Sequence, residues 1–346
     1  MSSSISAVLH TERLVGLRAF PGFSELEPET VSSIAENVRE RFFPAGTTIF
    51  YEGERIDHVL FIISGQFSLR RHGHDVSAMF QHQSVGFIQA LGLIPALANN
   101  LAGIEAVART DVYAYEIELN LLWEVLEEHF EIMAAVLGGL ARQLIFARRK
   151  LLGTAGFASE DPADPPPAHR LDLVERVLHL RKVMVVAGSR IEALIGLARE
   201  SIELRLNEDT LIWQEGDSMG SMLMLIGGEI ECSTKAGHRF LFAAGDTVGG
   251  LDTLAQMPRW FTARTVSPVV ALRIETDSFF DAVEDNPDIG RRLIEDIAQG
   301  VDDLYEKLAG HAPNGRHDHL ANESARNMAL VTGDRDSANL GDDDGR

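Results

Sequence analysis

The sequence predicts a mainly β protein with flanking helices: two tandem jelly-roll β-barrels, each followed by a closing helix. Three observations predict it. Residues 43–69 (FPAGTTIFYEGERIDHVLFIISGQFSL) align without a gap on residues 206–232 (LNEDTLIWQEGDSMGSMLMLIGGEIEC). Seven positions are identical: Thr47, Ile49, Glu52, Gly53, Leu60, Ile63 and Gly65 match Thr210, Ile212, Glu215, Gly216, Leu223, Ile226 and Gly228. A repeat of this length is a duplicated domain, not a solenoid unit. Each copy is a run of short β-branched and aromatic segments broken by closely spaced turns, the pattern of a small barrel. Finally, 346 residues are too many for one ordinary core and suit two.

In chain order, residues 26–38 read as a helix with Pro28 and Glu29 at its start, where proline is tolerated. Residues 47–51 form the first clear strand, Glu52-Gly53-Glu54 turns it, 59–63 is an apolar strand, and Ser64-Gly65 turns into 66–70. Helical patterns over 171–181 and 191–202 precede the second barrel. After each barrel comes a helix with a heptad-like apolar seam: Met133, Leu137, Leu140, Leu144, Ala147 and Leu151 within 121–152, and Leu293, Ile297, Val301, Leu304 and Leu308 in the second copy. Such a seam packs on its own barrel or holds two chains together. A homodimer through the closing helices is the expectation carried forward.

The domains follow: 14–152, a Pro-rich linker over 153–169 (GTAGFASEDPADPPPAH), 170–308, and a polar, Asp-rich tail over 309–346 that reads as disordered. The 31 Lys and Arg against 52 Asp and Glu give a net charge of −21, which disfavours nucleic-acid and anionic-membrane binding. One cysteine, Cys232, excludes a disulfide framework and a cysteine zinc site; a reducing compartment and a cytoplasmic location are expected. The N-terminal residues lack the basic and apolar regions of a signal peptide. Residues 76–104 carry no Asp, Glu, Lys or Arg, but Gln, Asn, His82 and Pro95 interrupt them, so no membrane span is expected there.

Residues 245–263 of the second copy read GDTVGGLDTLAQMPRWFTA. With its helix–barrel–helix layout and Glu-Gly turn, the chain resembles the cyclic-nucleotide-binding domain family, which includes catabolite activators and protein-kinase regulatory subunits. The resemblance covers 14–152 and 171–308. The family's phosphate-binding cassette runs Gly-Asp, Phe-Gly-Glu-Leu-Ala-Leu, a short turn, then Pro-Arg-Ala-Ala-Thr. Gly245-Asp246, Gly249, Leu251 and Pro258-Arg259 fall at that spacing. The resemblance implies a ligand site at Gly249, Gly250, Leu251, Asp252, Pro258, Arg259, Trp260, Phe261 and Thr262, with Arg259 as the guanidinium fork for a cyclic phosphate. The departures are specific. Gly250 stands where the family has its ribose-binding Glu, Asp252 stands at a small-residue position where it adds repulsion, and Trp260 and Phe261 replace two small residues. Rings turned inward would fill the phosphate site.

The ungapped repeat register sets VGFIQALGLIPALA, residues 85–98, as the first copy's cassette, with Phe87 at the Glu position and no Arg. Bringing Ile104-Glu105-Ala106 opposite Phe261-Thr262-Ala263 then requires about six extra residues within this loop. An uncharged cassette offers a buried anion no counter-charge, so no cyclic nucleotide is expected in copy one.

Other signals are weaker. Gly216-Asp217-Ser218-Met219-Gly220 matches a nucleophile elbow, but the repeat puts it between two strands rather than between strand and helix. His72 and His74, with His82, suggest a cupin-like metal site without its Glu. Arg148-Arg149-Lys150 closes a helix C-terminus, where cations offset the dipole. No basic recognition helix follows residue 308, so DNA is not an expected partner. The resulting expectation is a non-enzymatic regulatory or sensor protein. It would bind a cyclic nucleotide or another anion in copy two, with no other cofactor and no metal, and signal through the closing helix to a protein partner. The alternatives are a ligand-free structural adaptor or assembly subunit, and, more remotely, a cupin-like metalloenzyme or a serine hydrolase using Ser218.

Overall fold

The computed structural model describes residues 11–20, 23, 26–75, 90–152, 165–182 and 191–308. A helix over 11–18 (α1) and α2 (Pro28–Glu36), which starts on its proline, lead into the first barrel. That barrel consists of β1 (Arg39–Phe43), β2 (Thr48–Phe50), β3 (His58–Ser64), β4 (Phe67–Arg71), β5 (His74–Asp75), β6 (Ala90–Leu91), the short helix α3 (Leu93–Leu97), β7 (Glu105–Ala108) and β8 (Val112–Glu118). Its strands form two antiparallel four-stranded sheets, β1-β8-β3-β6 and β2-β7-β4-β5. Helices α4 (Leu119–Glu128) and α5 (Phe130–Leu152) follow.

The second half repeats the plan. Helices α6 (Leu173–Lys182) and α7 (Ile191–Glu200) precede β9 (Ile202–Leu206), β10 (Leu211–Trp213), β11 (Ser221–Gly227), β12 (Ile230–Ser233), β13 (Arg239–Phe242) and β14 (Thr247–Val248). The cassette helix α8 (Gly250–Ala255), β15 (Thr262–Thr265), β16 (Val269–Glu275), α9 (Thr276–Asp285) and α10 (Pro287–Leu308) complete it. Its sheets are β14-β11-β16-β9 and β10-β15-β12-β13, strand for strand the order of the first copy. The two mainly antiparallel barrels with flanking helices are thus as expected.

The repeat's identical residues have identical work. Glu52 accepts the His72 backbone N–H at 3.0 Å, and Glu215 accepts that of Lys235 at 2.6 Å, so each ties its turn to the next hairpin. The ladder skips one residue at Ile63 and again at Ile226, a β-bulge kept in both copies. Gly65 and Gly228 take φ of +103° and +87°, and a Cβ on either would strike a backbone carbonyl, that of Asp111 or Pro268. Only glycine fits there.

The closing segments differ from expectation in two ways. First, each is two helices: His129 (φ −127°, ψ 95°) and Asn286 (φ −138°, ψ 81°) leave helical geometry and break the run. Second, the seam is neither on its own barrel nor free for a second chain. Helices α5 and α10 pack along one another, and each lies over the cassette helix of the opposite copy, α5 on α8 and α10 on α3. Leu137, Leu140, Val301 and Leu304 are wholly buried within this one chain. At about 1.5–3 kcal/mol per buried side chain, the seam is satisfied without a dimer. The apolar seam on which the expected homodimer rested is thus covered by an internal pairing of the two repeats. The contact is close: a Cβ at Gly290 would collide with the Met133 thioether, and Gly138 sits against the Leu254 carbonyl. Residues 130–149 are long and apolar enough to cross a membrane, with mean hydropathy 1.5, and 61% of that window is buried inside the protein.

Candidate functional site

The second cassette begins where β14 ends. Gly249 adopts φ +78°, a left-handed residue that launches α8, and Gln256 at φ +50° ends it. The exposed Pro258 leads to Arg259, which the backbone fixes twice. Its N–H donates to the Asp217 carbonyl at 2.9 Å, and its carbonyl accepts from Gly216 at 2.8 Å. The repeat's Glu-Gly turn thus positions the arginine.

The guanidinium points inward and is 3% exposed. Nη1 donates to the Gly249 carbonyl at 3.1 Å and Nη2 to the Ser221 carbonyl. Cζ lies 4.2 Å from the centroid of the Trp213 ring, a cation–π contact. A Cβ at Gly249 would collide with the guanidinium, so this glycine is needed for room as well as for φ. The counter-charge is Asp252, whose Oδ2 is 3.6 Å from Nη1 and whose side chain is fully buried. Neither carboxylate oxygen accepts a hydrogen bond. Burial pushes this carboxyl up to about 7 against the pull of Arg259, Arg149 and Arg148. Burial likewise lowers the Arg259 guanidinium, against Asp252. Arg148, from the closing helix of the first copy, is brought down to about 10 by burial, with Asp246 and Asp252 opposing.

The remaining candidates fall into place around this pair. Trp260 and Phe261 both turn inward and are 5% and 2% exposed. Trp260 stacks on Phe240 at 5.3 Å, and Phe261 meets the same ring edge-on at 5.2 Å. Arg149 lies 5.9 Å over the Trp260 ring. Thr262 accepts the Glu215 N–H at 3.0 Å, and Leu251 is half-buried. Gly250 carries no side chain to meet a ribose. Asp252, Arg259, Trp260 and Phe261 are buried together, Gly250, Leu251 and Thr262 are half-buried around them, and the acidic side chain next to Arg259 is that of Asp252. Asp252, expected to add repulsion toward a ligand, also pairs with Arg259.

The first cassette is displaced from its expected register. Gly92 (φ +86°) opens α3 and Asn99 (φ +52°) follows its end, matching Gly249 and Gln256. Gly53 N–H donates to the Ala102 carbonyl and Ala102 N–H to the Glu54 carbonyl, each at 2.6 Å, the same pair of bonds that Arg259 makes. Ala102 therefore stands in place of Arg259, Leu93 rather than Phe87 stands at the Glu position, and Gly103 replaces Trp260. The extra residues lie ahead of the cassette, not within its loop; 85–89 are outside the described residues. The expectation of no cassette arginine holds over 90–108.

A different arginine fills that space. Arg71 from β4 reaches Gly103, where a Cβ would collide with its guanidinium, and pairs with Asp302 of α10 at 3.4 Å. Beside it Asn100 donates to Gln299 at 2.8 Å, while in the other half Arg142 donates to the Ala255 carbonyl at 3.0 Å. Sequence reasoning missed Arg71, Arg142 and Asp302, and placed Arg148 only at a helix end, because their contacts cross between the two copies; it also missed Trp213, which covers Arg259 from within the second barrel. A cavity of about 460 Å³ lies elsewhere, on the first barrel. Its Arg39 and Arg41 are already committed to Glu116 and Glu118. Ser218 lies in the β10–β11 connection, between two strands. His72 pairs with Glu52 at 2.9 Å; His82 lies outside the described residues, as do the 309–346 tail and most of the 153–169 linker.

Fold and site define a protein of two cassette-bearing barrels closed by each other's helices. A model of the cyclic nucleotide-binding domain matches residues 40–129 and 203–286, half of the chain, and the chain belongs to that family. Among curated proteins it is similar to the uncharacterized NTE family proteins Mb2594 of Mycobacterium bovis and Rv2565 of Mycobacterium tuberculosis. Each is 28% identical over 135 residues, 39% of this chain. The chain spans 22% of the length of these relatives. Among solved structures it is similar to a regulatory subunit of a cAMP-independent protein kinase A from Trypanosoma cruzi bound to guanosine. That match has 14% identity, 87% of this chain, 90% of that chain and a TM-score of 0.32. It is also similar to a cyclic nucleotide-binding-like protein from Brucella abortus, with 22% identity, 32% and 98% coverage and a TM-score of 0.29.

Proposed function

We propose that this chain is a non-enzymatic regulatory adaptor that works without a cyclic nucleotide and acts on a protein partner through its paired closing helices. Tandem domains of this family are consistent with a regulatory sensor. The observation that carries the finer reading is the buried Asp252–Arg259 pair: the guanidinium that would hold a phosphate has its counter-charge 3.6 Å away. Trp213 covers its face and Trp260 and Phe261 occupy the adjoining barrel interior. An incoming phosphate would have to displace a carboxylate or lie beside it, and like charges at close range in a dry site repel strongly. The first cassette offers Ala102 where an arginine is needed. The output surface is then the pair α5 and α10, which touches both cassettes at once. Calorimetry with cyclic AMP and cyclic GMP at millimolar concentration tests the reading. It expects no saturable heat; saturable binding that Arg259→Ala abolishes would restore the nucleotide sensor.

A further inference from the structure

Asp252 is a carboxylate with both oxygens buried and neither hydrogen-bonded. Buried polar atoms are nearly always satisfied, and a buried carboxylate is costly unless paired. What surrounds it is cationic. Arg259 is 3.6 Å away, and Arg148 and Arg149, from the opposite copy's closing helix, also draw on its charge. Arg148 is itself buried. Asp246 and the buried Cys232 are the other titratable groups near it, and Asp217 acts on Arg259 from the far side. In a chain of net charge −21, this is a pocket of concentrated positive charge held in balance by side-chain carboxylates.

We propose that Asp252 is the specificity-determining residue of the second cassette, a built-in carboxylate seated where a small phosphate-type oxyanion would meet Arg259, and that its presence is what closes the cassette to anions. The inference rests on the adaptor reading above and adds the residue responsible. Taking the carboxylate away does two things. It leaves buried guanidinium charge without its partner, which recruits an anion from solution. It also vacates the volume of the carboxylate beside Nη1. Two like charges about 4 Å apart at an effective dielectric near 20 repel by roughly a thousandfold in an equilibrium constant. Relief of that repulsion is expected to tighten phosphate binding by about a hundredfold or more.

The test is calorimetry of the full chain with inorganic phosphate at about pH 8, above the value of about 7 to which burial raises the Asp252 carboxyl, so that it is ionised. Wild type is expected to show no saturable binding at millimolar phosphate. Asp252→Ala is expected to bind saturably, and Asp252→Ala with Arg259→Gln to lose that binding. Where circular dichroism shows that Asp252→Ala is unfolded, Asp252→Ser, which is neutral and smaller than the carboxylate, takes its place. A folded neutral variant that binds phosphate no better than wild type overturns the proposal. Cyclic AMP binding by the wild type would instead overturn the adaptor reading, so the two failures are distinguishable.

Discussion

Replacing Asp252 by Asn should change how stability depends on pH. The carboxyl is held up to about 7 inside the fold, against an ordinary value of 3.8. Between those values the folded chain binds a proton that the unfolded chain has released, so this group's contribution is fully present below pH 3.8 and is lost as pH rises through 7. The whole gap corresponds to about 4 kcal/mol at about 1.4 kcal/mol per tenfold change. Over a practical range, from about pH 5 to about pH 8, roughly 2.5 kcal/mol of it is lost. The cause is burial, with Arg259, Arg149 and Arg148 only partly offsetting it. The assay is urea denaturation of wild type and Asp252→Asn at several pH values, taking the difference in unfolding free energy. Wild type should lose about 2.5 kcal/mol relative to the variant across that range. Parallel curves, or wild type gaining on the variant as pH rises, would show that the arginines hold Asp252 ionised throughout, and the argument from burial would fail.

Other expectations follow from the same geometry. Leu140→Asp buries a charge in the α5–α10 seam and should cost about 4 kcal/mol or more, with an unfolding midpoint independent of protein concentration. A midpoint that shifts with concentration would mean that the seam joins two chains. Gly228→Ala should cost about 2–3 kcal/mol in urea denaturation, because it adds a collision with the Pro268 carbonyl to the strain of φ +87°. Gly237→Ala, at the same φ with no atom within 4 Å, should cost only about 1 kcal/mol.

The barrels could be read from sequence because their signals are local. Glu52-Gly53 and Gly65 recur as Glu215-Gly216 and Gly228, and each pair makes one turn that nothing distant alters. The first cassette's register was misplaced because Gly86-Phe87-Ile88 and Gly92-Leu93-Ile94 both fit a glycine followed by an apolar helix start. Only the left-handed φ at Gly92 and the bonds of Ala102 decide between them. The heptad spacing revealed an apolar face on α5 but carries no information on which chain covers it; a duplicated protein can supply the partner itself. The pairing of Asp252 is not legible in the sequence for a related reason: its contact with Arg259 and the arrival of Arg148 from the other half depend on the closed fold, not on local spacing.

The exchange of closing helices is the claim on which the rest depends, and a cross-link tests it most directly. Asn100 and Gln299 meet at 2.8 Å across the two halves. In a Cys232→Ser background, Asn100→Cys with Gln299→Cys should be bridged within one chain by a short bis-maleimide at every protein concentration, and the product should migrate as a single chain on a denaturing gel. Cross-linked dimers that grow with concentration, or two thiols that stay free in the folded protein, would contradict it.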